Sequence, residues 1–498
     1  MSPSPDQTLI PIDLRAGDPA AEIFLIDRKL QLVKQGVGVL QAEVPSGLYE
    51  VKLRTGTSTF EEVISVRAPV RKTYPALEFS SPVPLDHTHK SHEFHVENAV
   101  KHSTHTHVAL GAGSHIFLFA RDWTSKKPPA GASAPGTYPN PAKGLSLRDA
   151  SGGVLVDFEQ TGAVGTNWDP WAACNIGVAP GSYLLHLDAP DGTVWERTLV
   201  ASPGWQTQCF LLQRMFGEDK AADIGGATIL MREDGAGFKP DSHQARMSEL
   251  ARLGLVNQRP VLSREMQDLL GDKFENPMLG IFGAHLLLQS EEQARGPYDR
   301  SLFSHVVKML RSLLKAPHPD VEALAWKAGQ GDRSFHYLLP PMLRRSWPIV
   351  THASAEWPEV IPPNSVSAGI CDSILAEQAW LVWSAEQREA DSQEIVETLA
   401  LYVGAANAAE PAPELELAAA AAGGEAPSGD FPPVMASPMP PRGDTERVIR
   451  KLTEQLSIPR NLVEKYLSAA QSRATEIRQD YTRRASRRRG TPSDIKKE

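Results

Sequence analysis

The sequence repeats one phrase, and this repeat limits the folds that the first half of the chain can adopt. Residues 45–66 align without a gap with residues 179–200. Both copies begin with a Gly-x-Tyr triplet and continue through a strand pattern, a turn and a second strand pattern. The positions that are identical in the two copies are Gly47/Gly181, Tyr49/Tyr183, Leu53/Leu187, Thr59/Thr193, Glu62/Glu196 and Val66/Val200. Internal repetition of this kind indicates two copies of one β unit.

The repeated phrase resembles part of the PEGA and transthyretin-like β-sandwich modules. The resemblance implies modules that serve as carriers or spacers rather than as catalysts. Short apolar segments separated by turns predict a small antiparallel β-sandwich over residues 8–70. A second, larger β-sandwich is predicted over residues 113–235. Its predicted strands are His115–Ala120, Val154–Phe158, Ser182–Leu187, Thr193–Val200, Gln206–Gln213 and Ala227–Met231.

A histidine-rich connector is predicted between the two β units, over residues 71–112. Eight of the 15 histidines lie in this connector or directly after it. On a helix, the side chains of His92, His95 and His102 would share one face, and imidazoles bind zinc, nickel or copper. The segment has no His-Glu-x-x-His motif and no cysteine. A metal site at these three histidines therefore stands beside a second interpretation, in which the segment is a polar, partly solvated connector.

The spacing of the apolar residues changes near residue 241 from that of strands to that of helices, which predicts an α-helical domain over residues 241–403. The segment Met278–Leu288 is apolar almost all round and is predicted to be a central buried helix. Asp320 is predicted to cap a helix over Val321–Ala328. The other predicted helices are His243–Leu253, Glu265–Leu270, Leu302–Lys315, Ile374–Ser384, which contains Trp380 and Trp383, and Glu394–Val403.

Composition and charge change again after residue 403. Residues 404–443 consist largely of Ala, Pro, Gly, Glu and Ser. Such a segment cannot bury enough apolar surface to offset an ordering entropy of about 1–2 kcal/mol per residue, so a disordered linker is predicted. An exposed linker is easily cut, and proteolysis there could be regulatory. A basic helical hairpin over residues 444–489 and a disordered tail over residues 490–498 follow, within a chain of net charge −9.

The hairpin segment Leu452–Leu467 resembles the helix-turn-helix pattern, although Ser457 stands where glycine is usual and only two helices are clear. The resemblance implies that the second helix enters the major groove of DNA. It places Arg460, Asn461 and Lys465 on the recognition side. An arginine-rich run would add phosphate contacts; it consists of Arg483, Arg484, Arg487, Arg488 and Arg489. The alternative is an amphipathic hairpin that docks on a protein.

The sequence lacks the motifs of several kinds of active site. It has no Gly-x-Ser-x-Gly elbow and no phosphate-binding loop. The three cysteines, Cys174, Cys209 and Cys371, are expected to be small buried hydrophobes. There is no signal-peptide pattern and no apolar stretch of spanning length, so we expect a cytoplasmic, bacterial-type protein with no membrane partner.

The sequence thus predicts a multidomain β plus α chain that works as a non-enzymatic adaptor or scaffold for other proteins and needs no cofactor. Two alternatives stay open. One is a nucleic-acid-associated regulator that acts through the C-terminal tail, and the other is a metal-dependent enzyme or sensor that uses the histidines.

Overall fold

The structure is a computed structural model, and its secondary structure is a mixture of α-helices and β-strands. Two compact units divide the chain: unit 1 comprises residues 1–350 and 373–386, and unit 2 comprises residues 351–372 and 387–498. The structure describes residues 9–89, 93–122, 138–165, 169–259, 261–272, 274–293, 297–370, 378–385, 392–409 and 442–489.

Unit 1 contains all of the strands in the described part of the chain. They are β1 (Leu9–Ala16), β2 (Glu22–Asp27), β3 (Leu32–Val37), β4 (Val39–Pro45), β5 (Gly47–Thr55), β6 (Ser58–Val66), β7 (Val70–Tyr74), β8 (Val108–Ala109), β9 (Ser114–Arg121), β10 (Leu145–Arg148), β11 (Val154–Asp157), β12 (Ala163–Gly165), β13 (Trp171–Val178), β14 (Gly181–Asp188), β15 (Val194–Ala201), β16 (Trp205–Phe216), β17 (Asp219–Ala222), β18 (Thr228–Glu233) and β19 (Val382–Ser384).

The α-helices are spread over both units. They are α1 (Glu93–Ser103), α2 (His243–Val256), α3 (Arg264–Gly271), α4 (Pro277–Glu292), α5 (Arg300–Leu314), α6 (Pro319–Lys327), α7 (Trp347–Glu356), α8 (Ser392–Ala409), α9 (Arg442–Leu456) and α10 (Arg460–Arg489). As predicted, the apolar helix α4 is buried along nearly its whole length. None of the helices in the described part of the chain is both long and apolar enough to span a membrane.

Strands β1 to β7, here called the N-terminal module, form one sheet with the order β6-β5-β2-β3-β4-β1-β7. Strands β3 and β4 pair only at Val37 and Val39, on either side of Gly38, which has a left-handed φ of 69°. Buried side chains of β2, β5 and β6 share one core with those of β1 and β4, so the sheet folds back on itself at this point. The two edge strands meet where Lys72 pairs with Glu62 at 2.6 Å.

Two further sheets make up the second β region. One has the order β11-β10-β14-β15-β19, and the other has the order β12-β13-β9-β16-β17, with β18 on β16 and β8 on β13. Apolar side chains of both sheets and of helices α2 to α6 belong to one continuous core, which crosses the domain boundary that the sequence predicts near residue 241. The opposite face of the larger sheet packs its phenylalanines against α1.

Arg246 on α2 clamps the N-terminal module to the rest of unit 1. Its Nε and Nη2 donate to the two carboxylate oxygens of Asp18 at 2.6 and 2.9 Å. Asp18 lies in the turn between β1 and β2 and is only 3% exposed. The same guanidinium donates to the backbone carbonyls of Leu77, Asp86 and His87. This planar five-donor fork is a geometry that lysine cannot reproduce.

The structure corrects several sequence-based expectations. The sheets are not purely antiparallel, because β1–β7, β8–β13 and β9–β16 are parallel pairs. The helix predicted over 374–384 is wrong at its described end, where β19 pairs with β15. This places Trp380 and Trp383 beside a sheet edge rather than on a helix. The helix predicted to start at Val321 starts at Pro319, and its cap is His318 rather than Asp320.

The outer parts of the predicted linker are helical, since α8 runs to Ala409 and α9 starts at Arg442. Residues 410–441, where the rest of the linker is predicted, lie outside the described residues. The predicted tail over 490–498 does so as well.

Candidate functional site

The first predicted site is the histidine segment, and its two described candidate ligands, His95 and His102, have different partners. His92 lies outside the described residues. His95 is fully buried on α1, and its Nε2 lies 3.2 Å from the carbonyl oxygen of Asp169. His102, two turns further along the same helix face, instead contacts His107, which follows the helix.

Hydrogen bonds fix the protonation of the His102–His107 pair. The backbone N–H of Asn175 donates to Nδ1 of His107 at 3.0 Å, so the ring proton of His107 must be on Nε2. That Nε2 lies 3.2 Å from Nδ1 of His102 and donates to it. Because a metal would need the lone pair at Nε2 of His107, this pair is arranged as a hydrogen-bond chain and not as a chelate.

Both rings are held neutral at neutral pH. Burial, helped by the neighbouring His107 and Lys101, lowers the pKa of His102 to about 4. Burial and the nearby His105 also lower the pKa of His107. Among the described residues, no group of three or more His, Cys, Asp or Glu side chains is placed to hold a metal ion.

The second predicted site is the C-terminal hairpin in unit 2, where two of the candidate contact residues have internal partners. Arg460 donates to both carboxylate oxygens of Glu446 at 2.7 and 2.8 Å, and to the carbonyl of Ala355 at 3.0 Å. Asn461 donates to the carbonyl of Ala368 at 3.0 Å. Both side chains therefore fasten the start of α10 to residues 351–372 of the same unit.

The remaining candidates of the hairpin are less constrained. The ammonium of Lys465 lies 4.9 Å from the ring centre of Tyr466, which is a cation–π contact on the helix surface. The arginine run lies in the last turns of α10, and its side chains are outside the described part; it comprises Arg483, Arg484, Arg487, Arg488 and Arg489.

The turn between α9 and α10 lies between Leu456 and Arg460. Ser457, which stands where glycine is usual, has a left-handed φ of 53°. A residue with a Cβ pays about 1–2 kcal/mol in this region, whereas glycine does not.

Replacing Ser457 by glycine is therefore expected to raise the free energy of unfolding of unit 2 by about 0.5–1 kcal/mol. Thermal melting followed by the helical circular dichroism signal measures the change. The matched control is Ser468→Gly in the interior of α10, which is expected to lower stability by about 0.5 kcal/mol. A loss of stability in both variants would contradict a strained turn.

The structure also shows a polar chain that sequence reasoning missed, which links Asp320, Ser346 and His285 in the core of unit 1. Ser346 donates its hydroxyl proton to Oδ1 of Asp320 at 2.8 Å and accepts from Nε2 of His285 at 3.0 Å. All three residues are at most 1% exposed. In a serine hydrolase the serine donates to the histidine and the histidine donates to the carboxylate. Here the serine stands in the middle and donates to the carboxylate rather than to the histidine, so the order of a hydrolase triad is not present.

Backbone donors complete the coordination of Asp320. Its Oδ2 accepts from the amide of Met342 at 3.0 Å, and its Oδ1 accepts from the amide of Leu343 at 2.9 Å. Burial nevertheless raises the pKa of Asp320 to about 6. Burial lowers the pKa of His285 to about 3, so its ring is neutral. The chain ties the start of α6 to the residues before α7 and to the central helix α4.

Arg197 on β15 lies near this chain and is also completely buried. Its Nη1 donates to the carbonyl of Ile224 at 2.8 Å, and its guanidinium carbon lies 4.3 Å from the ring centre of Trp380. Burial lowers the pKa of Arg197 to about 10, and the carboxylate of Asp320 counteracts part of this shift. The arginine remains a cation and offsets part of the desolvation of that carboxylate.

Burial also makes the cysteine thiols unreactive. Cys174 and Cys209 are buried and free, as predicted. Burial raises the pKa of Cys174 to about 12 and that of Cys209 to about 11, so neither is a thiolate at neutral pH. Cys371 lies outside the described residues.

Comparison with known proteins gives no relative for this chain. No protein-family model matches it, and no curated protein matches it significantly.

Proposed function

We propose that this protein is a non-enzymatic, multi-module adaptor or scaffold that binds other proteins. The observation that carries the proposal is the sealed Asp320–Ser346–His285 chain. This grouping of a hydroxyl, an imidazole and a carboxylate is buried, and its hydrogen bonds do not follow the order of a hydrolase triad. Its geometry serves to hold elements together.

The repeated phrase supports the modular part of the proposal. In the first copy, the hydroxyl of Tyr49 donates to the carbonyl of Pro45 at 2.9 Å. In the second copy, the hydroxyl of Tyr183 donates to the carbonyl of Ala179 at 2.7 Å. A tyrosine that bonds back to a carbonyl a few residues upstream recurs in β-sandwich domains of other families. We therefore take the N-terminal module and the second β region as two β-sandwich modules, in line with the PEGA and transthyretin-like resemblance.

Changing either tyrosine to phenylalanine removes only this hydrogen bond. Tyr49→Phe and Tyr183→Phe are each expected to lower the free energy of unfolding by about 0.5–1.5 kcal/mol. Urea denaturation measures the effect, and Tyr402→Phe, at an exposed tyrosine of α8, is the control with no expected change. If the three variants were equally stable, the tyrosine hydrogen bond would not be a stabilising feature of the repeat.

The functional test separates binding from catalysis. Three proteins are crosslinked mildly to their partners in the native host and then purified. They are the full-length protein, a variant that ends at residue 441, and the variant Ser346→Ala. An adaptor is expected to retain stoichiometric protein partners, to lose a subset on truncation, and to keep them in Ser346→Ala. Labelling of Ser346 by a fluorophosphonate probe, or turnover that Ser346→Ala abolishes, would overturn the proposal.

The left-handed turn at Ser457 favours a second candidate, a nucleic-acid-associated regulator acting through α9 and α10. Since Arg460 and Asn461 have internal partners, Lys465 and the terminal arginines would carry the contact. Binding of the full chain to duplex DNA that weakens steeply with salt, and weakens again in Lys465→Ala, would support this candidate. DNA binding that does not depend on the salt concentration would contradict this candidate function.

A further inference from the structure

The two ends of the N-terminal module differ sharply in what they contact. One end holds the β1–β2, β3–β4 and β5–β6 turns. It is fastened to α2 and the residues after it, where Arg246 binds Asp18 and Arg259 donates to the carbonyl of Gly56. We call this the proximal end. The opposite, distal end therefore points away from the helices of unit 1.

Strand register shows which residues form the distal end. Leu9 pairs with Pro45, Asp27 pairs with Tyr49, and Gly47 pairs with Val66. The start of β1, the end of β2, the start of β3 and the start of β5 thus lie together. Four exposed leucines lie at or next to these strand ends: Leu9 on β1, Leu30 in the β2–β3 turn, Leu32 on β3 and Leu48 on β5.

The tip of the β2–β3 hairpin is the most exposed part of this end. Every residue from 28 to 34 is exposed. Leu30 is 80% exposed and Leu32 is 57% exposed. Arg28 and Lys29 stand directly beside them, and Arg67 is exposed after the end of β6.

Leu30 occupies a conformation that does not suit it. Its φ of 60° is in the left-handed region, where glycine or asparagine is favoured. The turn is held rigid, since Oδ1 of Asp27 accepts from the amides of Lys29 and Gln31 at 2.8 and 2.9 Å. A strained, solvent-exposed leucine on a rigid turn does not stabilise the fold. Its conformation therefore points to a role in binding rather than in stability.

The composition of the tip favours a lipid surface over a protein partner. Binding hot spots on proteins are rich in Trp, Tyr and Arg and poor in Leu and Val, and protein interfaces are depleted in Lys. Aliphatic side chains beside Lys and Arg are instead what inserts into the headgroup region of an anionic bilayer. The expectation of no membrane partner came from the lack of a spanning segment, which does not bear on surface contact.

We propose that the distal end of the N-terminal module contacts an anionic phospholipid surface, with Leu30 and Leu32 at the acyl boundary and Arg28 and Lys29 among the headgroups. This contact goes beyond the adaptor function, because it adds a membrane surface at which the protein would hold its partners. The Arg246 clamp then fixes how the rest of unit 1 faces the membrane.

A position-specific probe separates this contact from any contribution of the basic tail. An environment-sensitive nitrobenzoxadiazole dye is attached at Leu30→Cys in full-length protein that also carries Cys371→Ser. The matched control carries the dye at Arg15→Cys, near the proximal end. Vesicles contain 70% phosphatidylcholine and 30% phosphatidylglycerol, or phosphatidylcholine alone.

We expect the dye at position 30 to brighten several-fold and shift to the blue with anionic vesicles, and the dye at position 15 not to change. Lys29→Gln in unlabelled protein is expected to weaken sedimentation with these vesicles about fivefold, and Arg15→Gln is expected not to. Leu30→Asn, which suits the left-handed turn, should weaken it while leaving the melting temperature unchanged or higher.

Three outcomes would overturn the proposal. One is the absence of vesicle binding, which would leave an acidic protein partner for the tip. The second is vesicle binding with an unchanged dye at position 30, which would assign the contact to the basic tail. The third is equal binding of wild type, Lys29→Gln and Leu30→Asn.

Discussion

Replacing Arg246 by alanine is expected to lower the free energy of unfolding of unit 1 by about 3–5 kcal/mol. The change removes both hydrogen bonds to Asp18 and leaves a carboxylate that is 3% exposed without its cation. A buried charge that loses its partner costs more than the pair contributes, because its desolvation is no longer compensated. Three backbone carbonyls lose their donor as well.

The chain offers matched controls for this experiment. Arg246→Lys keeps the charge but cannot bind both oxygens and the carbonyls at once, so we expect it to recover less than half of the loss. Arg15→Ala breaks the exposed pair with Asp13, at 3.4 Å, and is expected to cost under about 0.5 kcal/mol. Urea denaturation gives the stabilities.

Hydrogen exchange then localises the effect. In Arg246→Ala, the amides near Asp18 and Leu77 are expected to exchange faster, while those of α4 keep their protection. A second variant, Asp18→Asn with Arg246→Ala, should be less unstable than the sum of the single changes, since it leaves no buried charge. Additive single changes would show that the clamp is not a coupled pair.

The elements with strong periodicity could be predicted from the sequence. The apolar residues of Met278–Leu288 surround a helix completely, and that helix is buried. The repeated Gly-x-Tyr phrase also predicts two hairpins, β5–β6 and β14–β15. In each case the signal is local, because side chains three to four or two residues apart share a face.

Contacts between distant residues could not be predicted in this way. Trp380 and Trp383 fit a helical spacing, yet Trp383 pairs across strands with Glu196 and Trp380 lies on Arg197. The clamp joins residues 228 positions apart in the chain. Nothing in the local pattern distinguishes Arg246 from an exposed arginine of a helix, and only the tertiary fold brings Asp18 to it.

The candidate sites show the same limit. Spacing places His95 and His102 on one face of α1, and both are buried there. Spacing does not show that the amide of Asn175 takes the Nδ1 lone pair of His107, the neighbour of His102. The resemblance over the C-terminal hairpin placed Arg460 on a recognition surface, but two glutamates and a carbonyl of unit 2 hold it.

Replacing Asp320 by alanine is expected to lower the free energy of unfolding by about 3–5 kcal/mol at neutral pH. The variant leaves the amides of Met342 and Leu343 and the hydroxyl of Ser346 as buried donors that have lost their acceptor, and each such loss costs about 1–3 kcal/mol. Ser346→Ala, the control, removes one link of the chain and is expected to cost about 1–2 kcal/mol.

The pH dependence gives this prediction a signature that a packing defect lacks. Burial raises the pKa of Asp320 from 3.8 to about 6 in the folded state. The folded state therefore binds this proton more tightly than the unfolded state does. The resulting stability is fully present below about pH 4 and is lost as pH rises through about 6. The stability of wild type minus that of Asp320→Ala should accordingly grow, by on the order of 2–3 kcal/mol, as pH falls from 7 to 4.

This difference also bears on function. A carboxylate that holds three donors inside the core acts as a structural tie, and its loss must appear as instability in every assay of the fold. If Asp320→Ala were as stable as wild type at all pH values, the carboxylate would not be tying the core together. The sealed chain with Ser346 and His285 would then lose its structural explanation, and the adaptor proposal would lose its main support.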